Sequence, residues 1–237
     1  MESFRLEQIS AATPENEIEV EKIRAENASL KKQVIHLERI LENRDERIKY
    51  LEEHAFIDPL TGAFNRRAFD PELEQSLKLI RGEVEEHREG VKPLTEISLI
   101  MLDLDHFKKI NDTFGHLVGD EVLRKVSALL MDSVRETDMA ARYGGEEFMI
   151  FLRGADETIA AEHAEKLRAE IGEMEFDIQP DLKITASFGV VSSKSSTDAE
   201  SLKKFADKAL YKAKDGGRNR VEVHTEDEYE PLPTTSE

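Results

Sequence analysis

From Val20 to Ala55, apolar residues recur at alternating steps of three and four. Val20, Val34, Leu41, Ile48 and Ala55 share one heptad position, interrupted by Asn27, while Ile23, Leu30, Leu37 and Leu51 share the other, interrupted by Arg44. Charged residues fill the positions between them. A seam kept over this many heptads predicts a coiled coil. β-Branched residues at the first position with leucine at the second favour a parallel dimer, and one buried asparagine fixes register at some cost in stability. The competing reading is a single amphipathic helix lying on its own domain, but the stripe is narrow and the rest of the surface is charged. Residues 16–57 are therefore expected to form a coiled-coil dimerisation helix. Pro59 and Gly62 then end the pattern, because proline and glycine punctuate helices.

The periodicity beyond this point changes repeatedly. Asp70-Pro71 reads as an N-cap and first helical residue, with Leu73, Leu77 and Ile80 on one face of the helix that follows. Residues 82–93 form a charged connection without a core face. Ile97 to Asp103 is almost continuously apolar, the pattern of a strand buried on both sides. Val122, Leu123, Val126, Leu129 and Leu130 stand at helical spacing and predict a helix over 119–134. Apolar residues on either side of Gly144-Gly145 predict a hairpin over 138–152, whose glycines supply positive φ and room for a ligand. Asp156 caps a helix with Ile159, Ala160, Ala164, Leu167 and Ile171 inward. A strand over 184–191, a helix over 202–214 ending at Gly216-Gly217, and a short strand over 220–223 complete the series. Residues 58–224 thus read as an α/β domain with helices against a sheet and its active face where strand ends meet loops. The polar stretch 1–15 reads as disordered. So does the tail 225–237, which is acidic, contains two prolines and lacks Lys and Arg.

Composition narrows the partners. A net charge of -18 over 237 residues argues against a nucleic-acid partner, since such proteins carry a basic face. A polyanionic substrate would have to be met by a local cluster of Lys and Arg. Cysteine is absent, which excludes disulfides and thiolate zinc sites. The first ten residues, MESFRLEQIS, lack the apolar core of a signal peptide. The longest apolar run, Phe148–Leu152, is too short to span a bilayer. A soluble, cytoplasmic protein without membrane contact is expected.

Candidate chemistry gathers at element ends. Asp103-Leu104-Asp105 closes the buried strand, and Glu146-Glu147 follows the glycine turn. Two such carboxylates with the Leu104 carbonyl suit a divalent cation that prefers oxygen. Asp105 is equally read as the cap of a helical turn over 107–110. Gly115 and Gly119 bracket polar side chains in a loop, with Asn111 and Asp120 near its ends. A carboxylate there can accept from the N1–H and exocyclic amine of guanine, a donor pair that adenine lacks; the plainer reading is turn and cap residues. Lys108, Lys214 and Arg218 are candidates for phosphate oxygens, although Lys214 also matches a helix dipole.

Taken in order, DPLTGAFNRR, DLDHFKKINDTFGHLVGD, RYGGEEF, ITASFGV and KDGGRNR resemble the signature of GGDEF-domain diguanylate cyclases, in the GGEEF form, over residues 58–223. The resemblance implies a palm-like nucleotide-cyclase fold, with a central, mostly antiparallel sheet flanked by helices. It implies a homodimer with one GTP per subunit, condensing two GTP into cyclic di-GMP with release of two pyrophosphates. Asp103, the Leu104 carbonyl and Glu146 would hold Mg²⁺ or Mn²⁺. Glu147 would complete the acidic pair and help to deprotonate the attacking 3′-hydroxyl, and Arg142 would steady the transition state. Asn111 and Asp120 would bind guanine, with His116 near the nucleotide, and Lys108, Lys214 and Arg218 would hold the triphosphate. Arg135 and Asp138 occupy the place of the family's RxxD product-inhibition site for cyclic di-GMP, with Lys166 or Arg168 as a supporting cation. The alternative is a non-catalytic module that binds GTP or cyclic di-GMP and signals through its coiled coil. The intact set Asp103, Glu146, Glu147, Asn111, Asp120 and Lys214 favours the enzyme. With no separate sensor expected before residue 58, an upstream signalling protein would act through the coiled coil.

Overall fold

The structure, a computed structural model, describes residues 14–84 and 93–225. Most of the N-terminal stretch and nearly all of the acidic tail, both expected above to be disordered, and most of the charged connection lie outside the described residues. The chain divides into a unit ending at Glu53 and one beginning at His54. The first is built on α1, Pro14–Phe56. It opens on proline, whose missing N–H is harmless in a first turn. Its seam residues Ile23, Leu30, Val34, Leu37, Leu41 and Ile48 are each about half-exposed in the single chain. Among the described residues no helix is long and apolar enough to cross a membrane.

The second unit is an α/β domain around one six-stranded sheet. Its elements are β1 (Phe64–Asn65), α2 (Arg66–Ile80), β2 (Ile97–Leu104), α3 (Phe107–Phe114), α4 (His116–Ser133) and β3 (Met139–Arg142), followed by β4 (Glu147–Arg153), α5 (Glu157–Glu173), β5 (Ala186–Ser192), α6 (Ala199–Asp215) and β6 (Val221–Val223). The strand order is β1-β3-β4-β2-β5-β6. The inner four strands are antiparallel, and the edge strands β1 and β6 pair in parallel.

Side chains on a strand alternate between faces, and here both faces are covered. Ile100, Leu102 and Leu104 of β2 enter the core made with α3, α4 and α5; Ile97, Leu99 and Met101 enter the core made with α2 and α6. That double burial explains the almost continuously apolar run in β2. The same alternation assigns Asp103 to the α2/α6 face, together with Glu147, its partner across the ladder.

Several elements differ from their sequence pattern. Helix α2 starts at Arg66, where the Asn65 side chain accepts from the Arg67 and Ala68 N–H groups at 2.9 and 3.3 Å. Pro71 therefore lies inside the helix, in its second turn, where it forfeits one intrahelical hydrogen bond. Asp70 is not the cap; it receives Arg66, Tyr143 and Lys203 instead. Residues 107–114 form a complete helix, and α4 begins at His116 rather than 119. Gly115, at φ +85°, separates them, a left-handed value that ends one helix before the next begins. Asn111 and Asp120 therefore sit within helices rather than at loop ends. Ile159, expected inward, is 50% exposed in the first turn of α5.

Close packing of α6 on β5 depends on Gly189. A Cβ there would collide with the Ala206 carbonyl oxygen and the Leu210 nitrogen, both backbone atoms that cannot rotate away. Gly189→Ala is expected to destabilise the domain by about 1–3 kcal/mol, the usual cost of overpacking, read as a lower urea midpoint at unchanged m-value. An unchanged midpoint would show that α6 can lift from the sheet without cost.

Candidate functional site

The acidic cluster is assembled by backbone pairing. Asp103 stands opposite Glu147 in the β2–β4 ladder, and the Leu104 N–H donates to the Glu146 carbonyl at 3.3 Å. Two carboxylates that follow the turn are thus fixed beside one that ends a buried strand. Asp103 is the least exposed partner of its ion pair, and burial pushes its carboxyl above the ordinary range. Lys214 Nζ, 2.9 Å from Asp103 Oδ2, opposes that shift, while the Asp105 charge adds to it. Glu146 is likewise raised, by burial first and the Asp103 charge second.

The glycine turn serves space rather than φ. Tyr143 and Gly144 N–H groups both donate to the Glu147 carbonyl, at 2.8 and 3.2 Å. Neither Gly144 nor Gly145 has a positive φ. A Cβ on Gly144, however, would collide with the Glu147 carboxylate. The turn is held from both sides. Arg142 Nε and Nη2 donate to the Gly145 carbonyl at 3.0 and 2.7 Å, and Nη1 donates to both Asp58 oxygens at 3.0 and 3.2 Å. Burial pushes the Asp58 carboxyl up, but hydrogen bonds from Thr61 and Arg142 outweigh it and hold it below the usual range. The Tyr143 hydroxyl donates to Asp70 at 3.0 Å, and Lys203 reaches the same carboxylate. Arg142, expected at the transition state, is therefore engaged by protein oxygens at all three nitrogens.

The other candidates lie around this edge. The Asn111 carboxamide lies over Gly119 so closely that a Cβ there would strike it, which brings Asn111 beside Asp120. Asp120 also faces Arg124 at 3.8 Å. Lys108 is exposed in the first turn of α3, and His116 is the exposed first residue of α4. Lys214 is in the last turn of α6, and Arg218 follows it in a left-handed turn, φ +62°. Asp105 is a correction: it caps no helix. The position before α3 is His106, at φ +58° and without a side-chain cap. Asp105 is 5% exposed and accepts from Thr185, Ser187 and the Asn219 N–H.

At the other candidate site, Asp138 folds the Arg135–Asp138 turn by accepting from the Arg135 N–H at 3.1 Å and the Arg153 N–H at 2.9 Å. The Arg135 side chain is exposed, as is Lys166. Arg168 is instead bound to Glu165 and to the Asn219 side chain, leaving Lys166 the freer cation. His163, unremarked in the sequence, contacts Ser133 at 3.3 Å, and burial lowers its pKa against the pull of Asp138.

The donor set suits a hard cation. Asp103, Glu146 and backbone carbonyls offer only oxygen. Among the described residues no three His, Asp or Glu side chains form a chelating group by themselves. That fits Mg²⁺, which is usually held by one or two carboxylates plus substrate phosphates and water.

Comparison with known proteins gives a consistent picture. Residues 55–220 match the family model described as diguanylate cyclase, GGDEF domain. The diguanylate cyclase DgcP of Pseudomonas aeruginosa is 40% identical over 172 residues, covering 72% of this chain and 24% of that protein. The coiled coil and GGDEF domain of DgcB from Caulobacter crescentus, solved with c-di-GMP, superposes with a TM-score of 0.71 at 32% identity, covering 82% of this chain and 99% of that one. Diguanylate cyclase SiaD of Pseudomonas aeruginosa, solved with its activator SiaC, gives a TM-score of 0.63 at 30% identity, covering 94% of this chain and 85% of that one. The chain spans about a quarter to a half of the length of the curated relatives it matches.

A pH experiment tests the electrostatics. A carboxyl raised in the fold contributes stability that is complete below its ordinary value of 4.5 and is lost as pH rises through the raised one. With a chelator present, Glu146→Gln is expected to raise the thermal midpoint at neutral pH, and the two proteins should converge below pH 4.5. A lower midpoint for the variant at neutral pH would show that Glu146 is not strained by its neighbours.

Proposed function

The chain belongs to the GGDEF-domain family of diguanylate cyclases, and from that premise we propose that it condenses two GTP into cyclic di-GMP with release of two pyrophosphates. The observation that carries this reading is the pairing of the β2 end with the glycine turn, which sets Asp103 beside Glu146 and Glu147. Asp103 and Glu146, with the Leu104 carbonyl, would hold Mg²⁺ or Mn²⁺. When bound, the ion would supply neutralisation of the developing phosphate charge and activation of the attacking hydroxyl. Glu147, on the same sheet face as Asp103, accepts the proton of the 3′-hydroxyl. Arg142 keeps the turn that carries both glutamates in place, through Asp58 and Gly145. Asn111 and Asp120 read guanine, with His116 at the nucleotide's edge. Lys108, Lys214 and Arg218 neutralise the triphosphate.

Each copy holds one GTP, so the reaction needs two copies face to face, chiefly a problem of positioning. The half-exposed seam of α1 supports a homodimer, since a second helix is what buries such a stripe. Arg135, Asp138 and Lys166 bind cyclic di-GMP as an inhibitor. Arginine forks suit its guanine edge and phosphates, and DgcB was solved with that nucleotide. An upstream protein acts through α1, as the SiaD–SiaC pairing in a relative covering most of this chain supports. A GTP-consuming activity belongs in the cytoplasm, where the nucleotide is made.

Purified protein incubated with GTP and Mg²⁺ is expected to release cyclic di-GMP, identified by mass, and none from ATP. Glu147→Ala should lower turnover by about 100-fold or more, as loss of a positioned base does. A wild-type protein that binds GTP yet forms no product would overturn the catalytic reading.

A further inference from the structure

The buried carboxylate of Asp105 is assigned no ligand above, although its charge acts on Asp103. It is met by three neutral donors: Thr185 Oγ1 and Ser187 Oγ, each at 2.7 Å, and the backbone N–H of Asn219 at 3.0 Å. A buried carboxylate is expensive to desolvate and persists where it is fully hydrogen-bonded. Thr185 and Ser187 belong to the neighbouring strand segment; Asn219 belongs to the turn that follows α6 and carries Arg218.

That turn is strained. Arg218 and Asn219 have φ values of +62° and +47°, both left-handed and both on residues with a Cβ. Such a pair is disfavoured and survives only where its surroundings over-determine it. Three bonds do so here. The Arg218 N–H donates to the Ala213 carbonyl at 2.9 Å. The Asn219 N–H donates to Asp105, and the Asn219 side-chain oxygen accepts from Arg168 Nη1 at 2.8 Å. Arg168 is itself locked by both Glu165 oxygens, at 2.6 and 2.8 Å.

We propose that Asp105, Asn219 and Arg168 are positioning residues for the nucleotide's triphosphate: they hold the left-handed turn that aims Arg218 at the phosphates. The inference rests on the assignment of Lys214 and Arg218 to the triphosphate. It adds that one strand end sets both halves of the polar site. Asp103 of β2 faces the cation, and Asp105, two residues on, fixes the loop that bears the phosphate-binding arginine. Arg168 extends the hold to α5, on the far side of the turn.

The test is calorimetric titration of the full chain, in Mg²⁺, with a non-hydrolysable GTP analogue and separately with GMP. The variants are Asp105→Asn, Asn219→Gly, Arg168→Ala and, as reference, Arg218→Ala. Asn219→Gly keeps the N–H and tolerates the left-handed φ, and removes only the bond to Arg168. Asp105→Asn and Arg168→Ala are expected to weaken the GTP analogue about tenfold, the scale of one charge-assisted hydrogen bond, with GMP affinity unchanged. Asn219→Gly should follow Arg168→Ala. If Asp105→Asn does not fold, the two surface variants decide. Equal losses for the analogue and GMP would make these residues merely structural and overturn the proposal. So would unchanged analogue affinity in all three while Arg218→Ala loses it. If Arg218→Ala itself binds like wild type, the phosphate assignment falls, and this inference with it.

Discussion

Backbone hydrogen bonds set Asp103, Glu146 and Glu147 at neighbouring strand ends, and the rest of the domain is arranged around that placement. Burial raises Asp103 and Glu146 most; the Asp105 charge adds to the shift of Asp103, and the Asp103 and Glu147 charges add to that of Glu146. The chain does not relax because the β2–β4 ladder fixes Asp103 opposite Glu147 and ties Leu104 to Glu146. Ladder bonds formed along two buried strands outweigh the repulsion of partly solvated charges. What remains is a local demand for positive charge. Lys214 answers it at 2.9 Å, although the protein as a whole carries -18.

Supporting elements share this purpose. Gly189 lets α6 lie close on β5, which delivers Lys214 to the Asp103 side of the sheet. Arg142 joins the glycine turn to Asp58 at the start of the domain, and Tyr143 joins it to Asp70 on α2. The turn is therefore anchored through the two residues that precede it by charge-assisted bonds, roughly twice as strong as neutral ones. Glycine at 144 leaves the space that the Glu147 carboxylate occupies. The bonded turn and the left-handed pair Arg218 and Asn219 have one effect in common: polar groups at these strand ends are held in place by the fold itself.

Much of this was legible in the sequence, for identifiable reasons. The apolar run of β2, the hairpin around Gly144-Gly145 and the seam of α1 are periodic signals, and the structure contains the corresponding strands and helix. The acidic residues could be found because they sit at the ends of those elements. What escaped was non-local. Asp58 and Arg142 are 84 residues apart, and Asp105 and Asn219 are 114 apart; no local pattern joins either pair. The Asp58-to-Thr61 spacing did carry a usable sign, since Asp and Thr three apart form a side-chain turn. The start of α2 was misplaced because Asp70-Pro71 is a strong cap signal, yet Asn65 caps the helix earlier and Asp70 is drawn into a tertiary network with Lys203 and Tyr143. Glycine in the turn suggested positive φ, which neither Gly144 nor Gly145 adopts; at 144 the missing side chain leaves room for the Glu147 carboxylate.

The most direct measurement is a crystal structure of the protein grown with Mn²⁺ and a non-hydrolysable GTP analogue, the ion located by its anomalous scattering. The ion should be bound by the Asp103 and Glu146 carboxylates, with Lys214 and Arg218 on the triphosphate oxygens and the guanine between Asn111 and Asp120. An ion seated away from both carboxylates, or an analogue bound where neither Lys214 nor Arg218 reaches its phosphates, would contradict the assembly of this site from the β2 end and the glycine turn.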